Sequence, residues 1–106
     1  KKINLQNIKN KEHKKIPNIG WYQLKMNAGN IENSIIKNSH INNKFYFIHS
    51  YYANLEKDDE CIAHIEYGSL KIPAIIKKNK IYGCQFHPEK SREHGLTLIE
   101  NFLKQN

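Results

Sequence analysis

The fold of this chain is decided by the run Ile81-Tyr82-Gly83-Cys84-Gln85-Phe86-His87-Pro88-Glu89-Lys90-Ser91. Its first six residues, apolar or small except for Gln85, predict a buried strand. Ser91 is a residue type that caps helices, and it is followed by a helical pattern. The run therefore predicts a strand that passes through His-Pro-Glu into a helix.

His87 and Glu89 are two residues apart, so in an extended segment both side chains project to the same side. Pro88 disfavours helical backbone at the residue before it, which keeps His87 extended. We therefore expect the two side chains to be within hydrogen-bonding reach. A carboxylate that accepts the Nδ1 proton would fix the imidazole tautomer and leave Nε2 as a general base for a thiol or hydroxyl nucleophile.

A histidine and a glutamate two residues apart are common on protein surfaces, so their position has to support a catalytic role. Here the pair lies where a strand ends and a helix begins. In α/β folds that edge of the sheet is where ligand and active sites are found. The spacing and the position together predict a catalytic pair.

The segment from Tyr82 to Ser91, followed by Gly95-Leu96 and Asn101-Phe102, resembles the C-terminal signature of class I, triad-type glutamine amidotransferases. In that family a cysteine on a sharp turn is the nucleophile, and the histidine and glutamate of this signature complete the triad. The resemblance implies an α/β fold, with His87 as the base and Glu89 as the residue that orients it. It implies no cofactor and no metal.

Composition sets broad limits on the partners of the chain. The 106 residues carry a formal net charge of +7 but a single arginine, Arg92, and 46 of them are Lys, Ile or Asn. A bias of that kind is what AT-rich codons produce. With only one arginine, the chain has few side chains that could contact phosphate or guanine in a bidentate manner. We therefore expect no nucleic-acid partner.

The two cysteines, Cys61 and Cys84, lie in strand-like runs without the spacing of a secreted disulfide scaffold, so both are expected to be reduced and buried. No apolar run has the length of a membrane span, and the start shows no signal-peptide pattern. The expectation is a cytoplasmic protein without a membrane partner.

Periodicity predicts the remaining elements. Residues 45–52, aromatic and β-branched, predict a strand central to the sheet. Further strands are predicted at 61–67, 72–76 and 81–86, with turns at 68–69 and 77–80, and their close spacing favours antiparallel hairpins. We also expect a short strand at Ile3 and Leu5 and about two helical turns within 26–43. Pro73 is expected at a sheet edge or at the start of a strand. The chain is expected to end in a helix with one apolar face, formed by Leu96, Ile99, Phe102 and Leu103.

Two further segments, Lys15-Ile16-Pro17-Asn18-Ile19-Gly20-Trp21 and Tyr46-Phe47-Ile48-His49-Ser50-Tyr51-Tyr52, are similar to segments of the glutaminase subunits of imidazole glycerol phosphate synthase. That resemblance covers most of the chain. It implies hydrolysis of L-glutamine to glutamate and ammonia, which passes to a (β/α)₈-barrel cyclase in a heterodimer. On the same basis Ser50 and Tyr51 bind the α-amino and carboxylate groups of glutamine through their backbone, and Trp21, Tyr46 and Lys90 face the cyclase.

The resemblance also implies that residues 1–106 are the C-terminal part of a single amidotransferase domain. The family's nucleophile, in a Gly-x-Cys-x-Gly turn, and its oxyanion-stabilising loop both precede the matched region. Cys84 is expected on the opposite strand face from His87. Cys61 lacks the glycines of a nucleophile elbow. The 106 residues alone are therefore expected to be inactive.

Three alternatives remain open. Tyr22 and Asn18 stand where family members commonly have Asn and often have His, so the partner could be that of a related amidotransferase which supplies ammonia for amidation of cell-surface sugars. Cys61-x-x-His64 and Cys84-x-x-His87 could together form a zinc site. Residues 45–52 could form a stacking platform in a small basic nucleic-acid-binding module.

Overall fold

The computed structural model describes residues 16–27, 35–36 and 43–104, and in these ranges it shows two antiparallel sheets followed by a helix. The smaller sheet pairs β1 (Asn18–Gln23) with β3 (Lys44–His49). The larger has the order β2 (Lys25–Met26), β4 (Cys61–Tyr67), β5 (Leu70–Lys78) and β6 (Ile81–Cys84). The helix α1 spans Arg92–Leu103. The prediction of a strand-rich α/β unit with antiparallel hairpins and a terminal helix is confirmed.

Two-residue turns join β4 to β5 and β5 to β6 in the larger sheet. Gly68 and Ser69 connect β4 to β5, as predicted, and Gly68 has a φ of 64°, where the lack of a Cβ removes steric cost. The second turn is shorter than predicted, because Lys77 and Lys78 still pair with β6 and only residues 79–80 turn. Asn79 has a φ of 58°, a conformation that asparagine tolerates better than most residues.

The aromatic strand is shorter than predicted and lies outside the four-stranded sheet. β3 ends at His49 rather than at residue 52, and its described strand partner is β1. After His49 the chain turns, because the imidazole contacts the carbonyl oxygen of Tyr51 at 2.9 Å. Alternation within β3 buries Phe45 and Phe47 and leaves Tyr46 and Ile48 on the other face.

The predicted strand at residues 81–86 is confirmed for Ile81–Cys84, but the prediction that it is buried is wrong. β6 ends at Cys84 and lies at the edge of its sheet, and Ile81 is 75% exposed. Pro73 lies within β5, opposite His64 of β4, whereas the pairing of β5 with β6 begins only at Ile75. The proline therefore has a neighbouring strand on one side only, as an edge position requires.

The core lies between the two sheets and α1. Phe86, which follows β6, packs against the rings of Phe45 and Phe47 with centroid separations of 4.6 and 5.5 Å. Aliphatic side chains surround these rings, each contributing roughly 1.5–3 kcal/mol on full burial. They include Ile62, Ile65, Ile72, Ile75 and Leu98.

The helix presents a different face to the core from the one predicted. Gly95 and Leu98 are the buried positions, whereas Leu96 and Leu103 are 53% and 64% exposed. A Cβ on Gly95 would lie 2.0 Å from the carbonyl oxygen of Pro88, so the helix approaches the preceding turn through its glycine. That close approach fixes the rotation of the helix.

The remaining predictions fall largely outside the described residues. The strand at Ile3 and Leu5 lies there entirely. A helix was predicted within 26–43, but Met26 belongs to β2. Ile35 and Ile36 are buried in a turn. The carbonyl oxygen of Ile35 accepts a hydrogen bond from Asn101 Nδ2 at 3.1 Å. In the described part of the chain, no helix has the length and apolar character needed to cross a bilayer.

Candidate functional site

His87 lies where the chain passes from one sheet to the other. The backbone N–H of Gln85 donates to the carbonyl oxygen of Ala74 in β5 at 2.9 Å. Two residues later, the backbone N–H of His87 donates to the carbonyl oxygen of Tyr46 in β3 at 3.0 Å. Phe86 is buried between these two points, so burial of its ring directs the histidine to the edge of β3.

His87 and Glu89 are in contact, as predicted, with 3.3 Å between Nδ1 and Oε2. His87 is extended (φ −100°, ψ 99°), but Pro88 to Lys90 form a 3₁₀ turn. The expectation that both residues lie in one extended segment is therefore wrong, because Pro88 begins the turn and brings the carboxylate back towards the ring. The side chains are 39% and 57% exposed, and an exposed contact of this kind adds little stability.

The backbone around His87 is held by Ser91, which is fully buried. Its hydroxyl donates to the carbonyl oxygen of His87 at 2.7 Å and accepts the backbone N–H of Tyr46 at 3.0 Å. The prediction that this side chain caps α1 is wrong: Ser91 occupies the N-cap position but makes no capping hydrogen bond. The hydroxyl instead joins β3 to the His-Pro-Glu segment.

Ser50 and Tyr51 directly follow β3, the strand that holds His87. Ser50 is half-buried and Tyr51 is 62% exposed. They lie four and five residues after Tyr46, just beyond the end of the strand. The carbonyl oxygen of Tyr51 is fixed by the His49 imidazole, so this part of the predicted substrate site has a defined backbone conformation.

Two of the predicted interface residues, Trp21 and Tyr46, pack together. Trp21 and Tyr46 are cross-strand partners with ring centroids 5.4 Å apart, and Trp21 is 39% exposed. Lys90 is exposed on the turn after His87. Sequence reasoning missed Arg92, whose guanidinium lies 5.1 Å from the Trp21 ring centroid, because its contact spans 71 residues of sequence.

Neither cysteine is placed as a nucleophile. Cys61 is buried, as expected, and its thiol donates to the carbonyl oxygen of Ala63 at 3.3 Å. Cys84 was expected to be buried but is exposed at the sheet edge. Although the residue keeps accessible surface, atoms crowded around its sulfur desolvate the thiolate and raise the pKa of Cys84 to about 11. The thiol is therefore protonated at neutral pH and a poor nucleophile.

The described geometry gives no support to the zinc site or to the stacking platform. Cys61 and Cys84 lie in β4 and β6, on either side of β5, and the described residues contain no group of three or more His, Cys, Asp or Glu side chains that could hold a metal ion. Phe45 and Phe47 are 1% and 0% exposed, so the strand offers no continuous stacking platform.

The other described histidines contact amide or carbonyl groups. His64 Nδ1 lies 2.7 Å from Asn27 Oδ1, and His94 Nε2 contacts the carbonyl oxygen of Lys44. His49 contacts Asn18 and Tyr51.

Comparison with known proteins agrees with this geometry. The family model for glutamine amidotransferase class-I matches residues 5–106. This chain belongs to the class-I glutamine amidotransferase family. Curated relatives of the amidotransferase include "Imidazole glycerol phosphate synthase subunit HisH" of Lactococcus lactis subsp. lactis, 44% identical over 95 residues, which are 90% of this chain and 45% of the relative.

Two other relatives carry similar names. "Imidazole glycerol phosphate synthase subunit HisH 2" of Methanococcus maripaludis is 42% identical over 86% of this chain and 43% of its own length. The HisH subunit of Leptospira borgpetersenii is 45% identical over 82% of this chain and 41% of its own. This amidotransferase chain thus spans less than half the length of the curated relatives it matches.

Proposed function

We propose that residues 1–106 are the C-terminal part of a single glutamine amidotransferase domain that hydrolyses L-glutamine and supplies ammonia to imidazole glycerol phosphate synthesis in histidine biosynthesis. The observation that carries this proposal is the His87–Glu89 contact of 3.3 Å on a backbone fixed by Tyr46 and Ser91. Support for the pathway comes from relatives named as subunits of imidazole glycerol phosphate synthase.

In the proposed mechanism His87 and Glu89 handle the proton of a cysteine in the preceding part of the domain. Glu89 accepts from Nδ1 and fixes the tautomer, so Nε2 takes the thiol proton. The thiolate attacks the side-chain carboxamide carbon of glutamine, and backbone N–H groups stabilise the oxyanion. The imidazolium then protonates the departing nitrogen as the C–N bond breaks. Water, deprotonated by His87, hydrolyses the thioester to glutamate.

Ser50 and Tyr51 are the proposed binding residues for the α-amino and carboxylate groups of glutamine. Backbone groups suit this task because their direction is set by the strand that also holds His87. The contact from His49 to the Tyr51 carbonyl oxygen supports a preformed site. Binding the backbone end of glutamine there would leave its carboxamide to reach the triad.

Trp21, Tyr46 and Lys90 are the proposed contacts with a cyclase partner that has a (β/α)₈ barrel. The cross-strand pairs Trp21–Tyr46 and Ile19–Ile48 share one face of the two-stranded sheet. Ile19 and Ile48 are 56% and 41% exposed. A partner bound to this face would remove their apolar surface from water. Exposed aromatic and aliphatic side chains on one face are typical of an interface core.

The experiment uses the complete domain, meaning this chain joined to the preceding part that carries the nucleophile, with and without the cyclase. We expect glutamate release from glutamine, and trapping of the thioester by mass spectrometry. Substitution Trp21→Ala should weaken association with the cyclase, whereas Lys78→Glu, at an exposed hairpin end, should not. Failure of the complete domain to form a thioester with glutamine would refute the proposal, as would turnover by residues 1–106 alone.

A further inference from the structure

A second buried polar cluster lies at the far end of β3 from the Tyr46–His87 contact. Asn18 is 1% exposed and His49 is 8% exposed. The two residues face each other across β1 and β3, because they are register partners in the two-stranded sheet. Buried polar side chains are expensive unless they are hydrogen-bonded, so their partners define what the cluster can do.

Both nitrogens of the His49 ring make polar contacts. Nδ1 lies 2.9 Å from the carbonyl oxygen of Tyr51, and Nε2 lies 3.1 Å from Asn18 Nδ2. The hydroxyl of Tyr22 donates to Asn18 Oδ1 at 2.7 Å, which orients the amide with its nitrogen towards the ring. The chain of contacts runs from Tyr22 through Asn18 and His49 to the backbone of Tyr51.

These partners determine the tautomer of His49. A carbonyl oxygen only accepts, so Nδ1 carries the proton, while Asn18 Nδ2 donates and Nε2 therefore accepts. A flipped Asn18 amide would require protons on both ring nitrogens. Burial lowers the pKa of His49, against a smaller opposing effect of the Tyr51 carbonyl, and so disfavours that charged form.

We propose that His49, oriented by Asn18, is a positioning residue that holds the Ser50–Tyr51 backbone in its glutamine-binding conformation. The inference rests on the proposed function of Ser50 and Tyr51. It assigns to the histidine at the end of β3 a role that is separate from proton transfer. Because both ring nitrogens are engaged in fixed contacts, His49 is not available as a general base.

The test compares two substitutions that divide the contacts of His49. Asn in place of His49 puts an amide nitrogen near the position of Nδ1 and can still donate to Tyr51. Gln places its amide near the position of Nε2, where it reaches Asn18 but not Tyr51. Glutamine affinity is measured by calorimetry on the complete domain with its cyclase, with the nucleophilic cysteine changed to alanine so that no turnover occurs.

We expect His49→Gln to weaken glutamine binding by roughly tenfold or more, because the Tyr51 carbonyl loses its donor, and His49→Asn to stay within about threefold. With the nucleophile restored, His49→Gln should raise KM for glutamine with little change in kcat. Equal affinities for all three proteins, or equal losses for the two variants, would overturn the inference.

Two further outcomes are decisive. If the protein with His49 intact binds no glutamine, the proposed function of Ser50 and Tyr51 is refuted and the inference fails with it. If His49→Gln does not fold, the inference is tested by measuring the tautomer of His49 in the unsubstituted domain. A two-bond ¹H–¹⁵N spectrum should place the proton on Nδ1. A proton on Nε2 instead would refute the positioning contact.

Discussion

The hydroxyl of Ser91 donates to the carbonyl oxygen of His87 at 2.7 Å. The same hydroxyl accepts the N–H of Tyr46, whose carbonyl oxygen in turn accepts the N–H of His87. Both polar groups of the His87 backbone are thus held by β3 and Ser91. This backbone clamp fixes the position from which the imidazole projects, whereas the exposed contact with Glu89 adds little stability.

Substitution Ser91→Ala should destabilise the protein by about 2 kcal/mol, because it leaves the Tyr46 N–H without its hydrogen-bond partner and the His87 carbonyl with only the donor from the Lys90 backbone N–H. It should also lower glutaminase activity of the complete domain, since His87 loses its fixed position. Urea unfolding and a glutamate-release assay measure the two effects.

Thr97→Ala provides the matched control for loss of a hydroxyl. Thr97 lies on the same helix, and its exposed hydroxyl donates to the Glu93 carbonyl at 3.0 Å, a local helical contact. The free energy of unfolding should change by no more than about 0.5 kcal/mol. Losses of the same size for Ser91→Ala and Thr97→Ala would contradict the clamp.

Substitution Gly95→Ala should destabilise the protein even though alanine is the better helix former by roughly 1 kcal/mol. Its Cβ would lie 2.0 Å from the carbonyl oxygen of Pro88 and 2.8 Å from Ser91 Cβ, so either the helix or the 3₁₀ turn must shift. The expected net loss is about 1–3 kcal/mol, the usual effect of overpacking. Thermal or urea unfolding measures it.

Gly20→Ala is the comparison for Gly95→Ala. At Gly20 the nearest heavy atom to an added Cβ is Tyr22 Cε2 at 3.3 Å, the edge of a ring that can move, so the effect should be smaller. A Gly95→Ala protein that is more stable than the wild type would show that propensity outweighs the contact with Pro88.

Local patterns predicted the hairpins and the His87–Glu89 contact because each depends on residues close in sequence. The 68–69 turn needs a glycine at positive φ, and the pair needs only two residues and a proline. The role of Ser91 could not be predicted, since it depends on Tyr46, 45 residues away. A buried serine at a helix start looks the same in sequence as a capping one.

The face of α1 and the state of β6 were mispredicted for a related reason. Apolar periodicity marked Leu96 and Leu103, but the approach permitted by Gly95 turns Leu98 inwards. The apolar run that starts at Ile81 predicted a buried strand, whereas the sheet order places β6 at an edge. Hydrophobicity reports which residues favour burial, while close backbone approaches decide which are buried in the described structure.

Substitution His87→Asn in the complete domain should slow thioester formation by roughly 10²–10⁴-fold, the usual contribution of a general base. Cys84→Ala should leave the rate within about twofold, because desolvation that raises the pKa of Cys84 to about 11 keeps the thiol protonated. Rapid quench with mass spectrometry measures the acyl-enzyme. Equal losses for the two variants would mean that Cys84 takes part in the chemistry.

The protein should lose stability as the pH falls below about 6.5, the ordinary pKa of histidine. Burial lowers the pKa of both His49 and His64. The positive charge of Lys71 lowers the pKa of His64 further. The unfolded chain therefore takes up protons at a higher pH than the folded one does. The free energy of unfolding has its full value above about pH 6.5 and decreases as the pH falls below it. Urea unfolding at several pH values between about 7.5 and 5.5 measures the decline.

The variants His49→Asn and His64→Asn should each reduce this pH dependence, since each removes one group that the folded state keeps neutral. The carboxylate of Glu66 does not interfere: the hydrogen bond from Lys25 lowers its pKa, so its stabilising effect is lost only at more acid pH. If the double variant keeps the full decline between about pH 6.5 and 5.5, other groups are responsible for it. If the unsubstituted protein becomes more stable on acidification, the assignment of neutral, buried His49 is wrong.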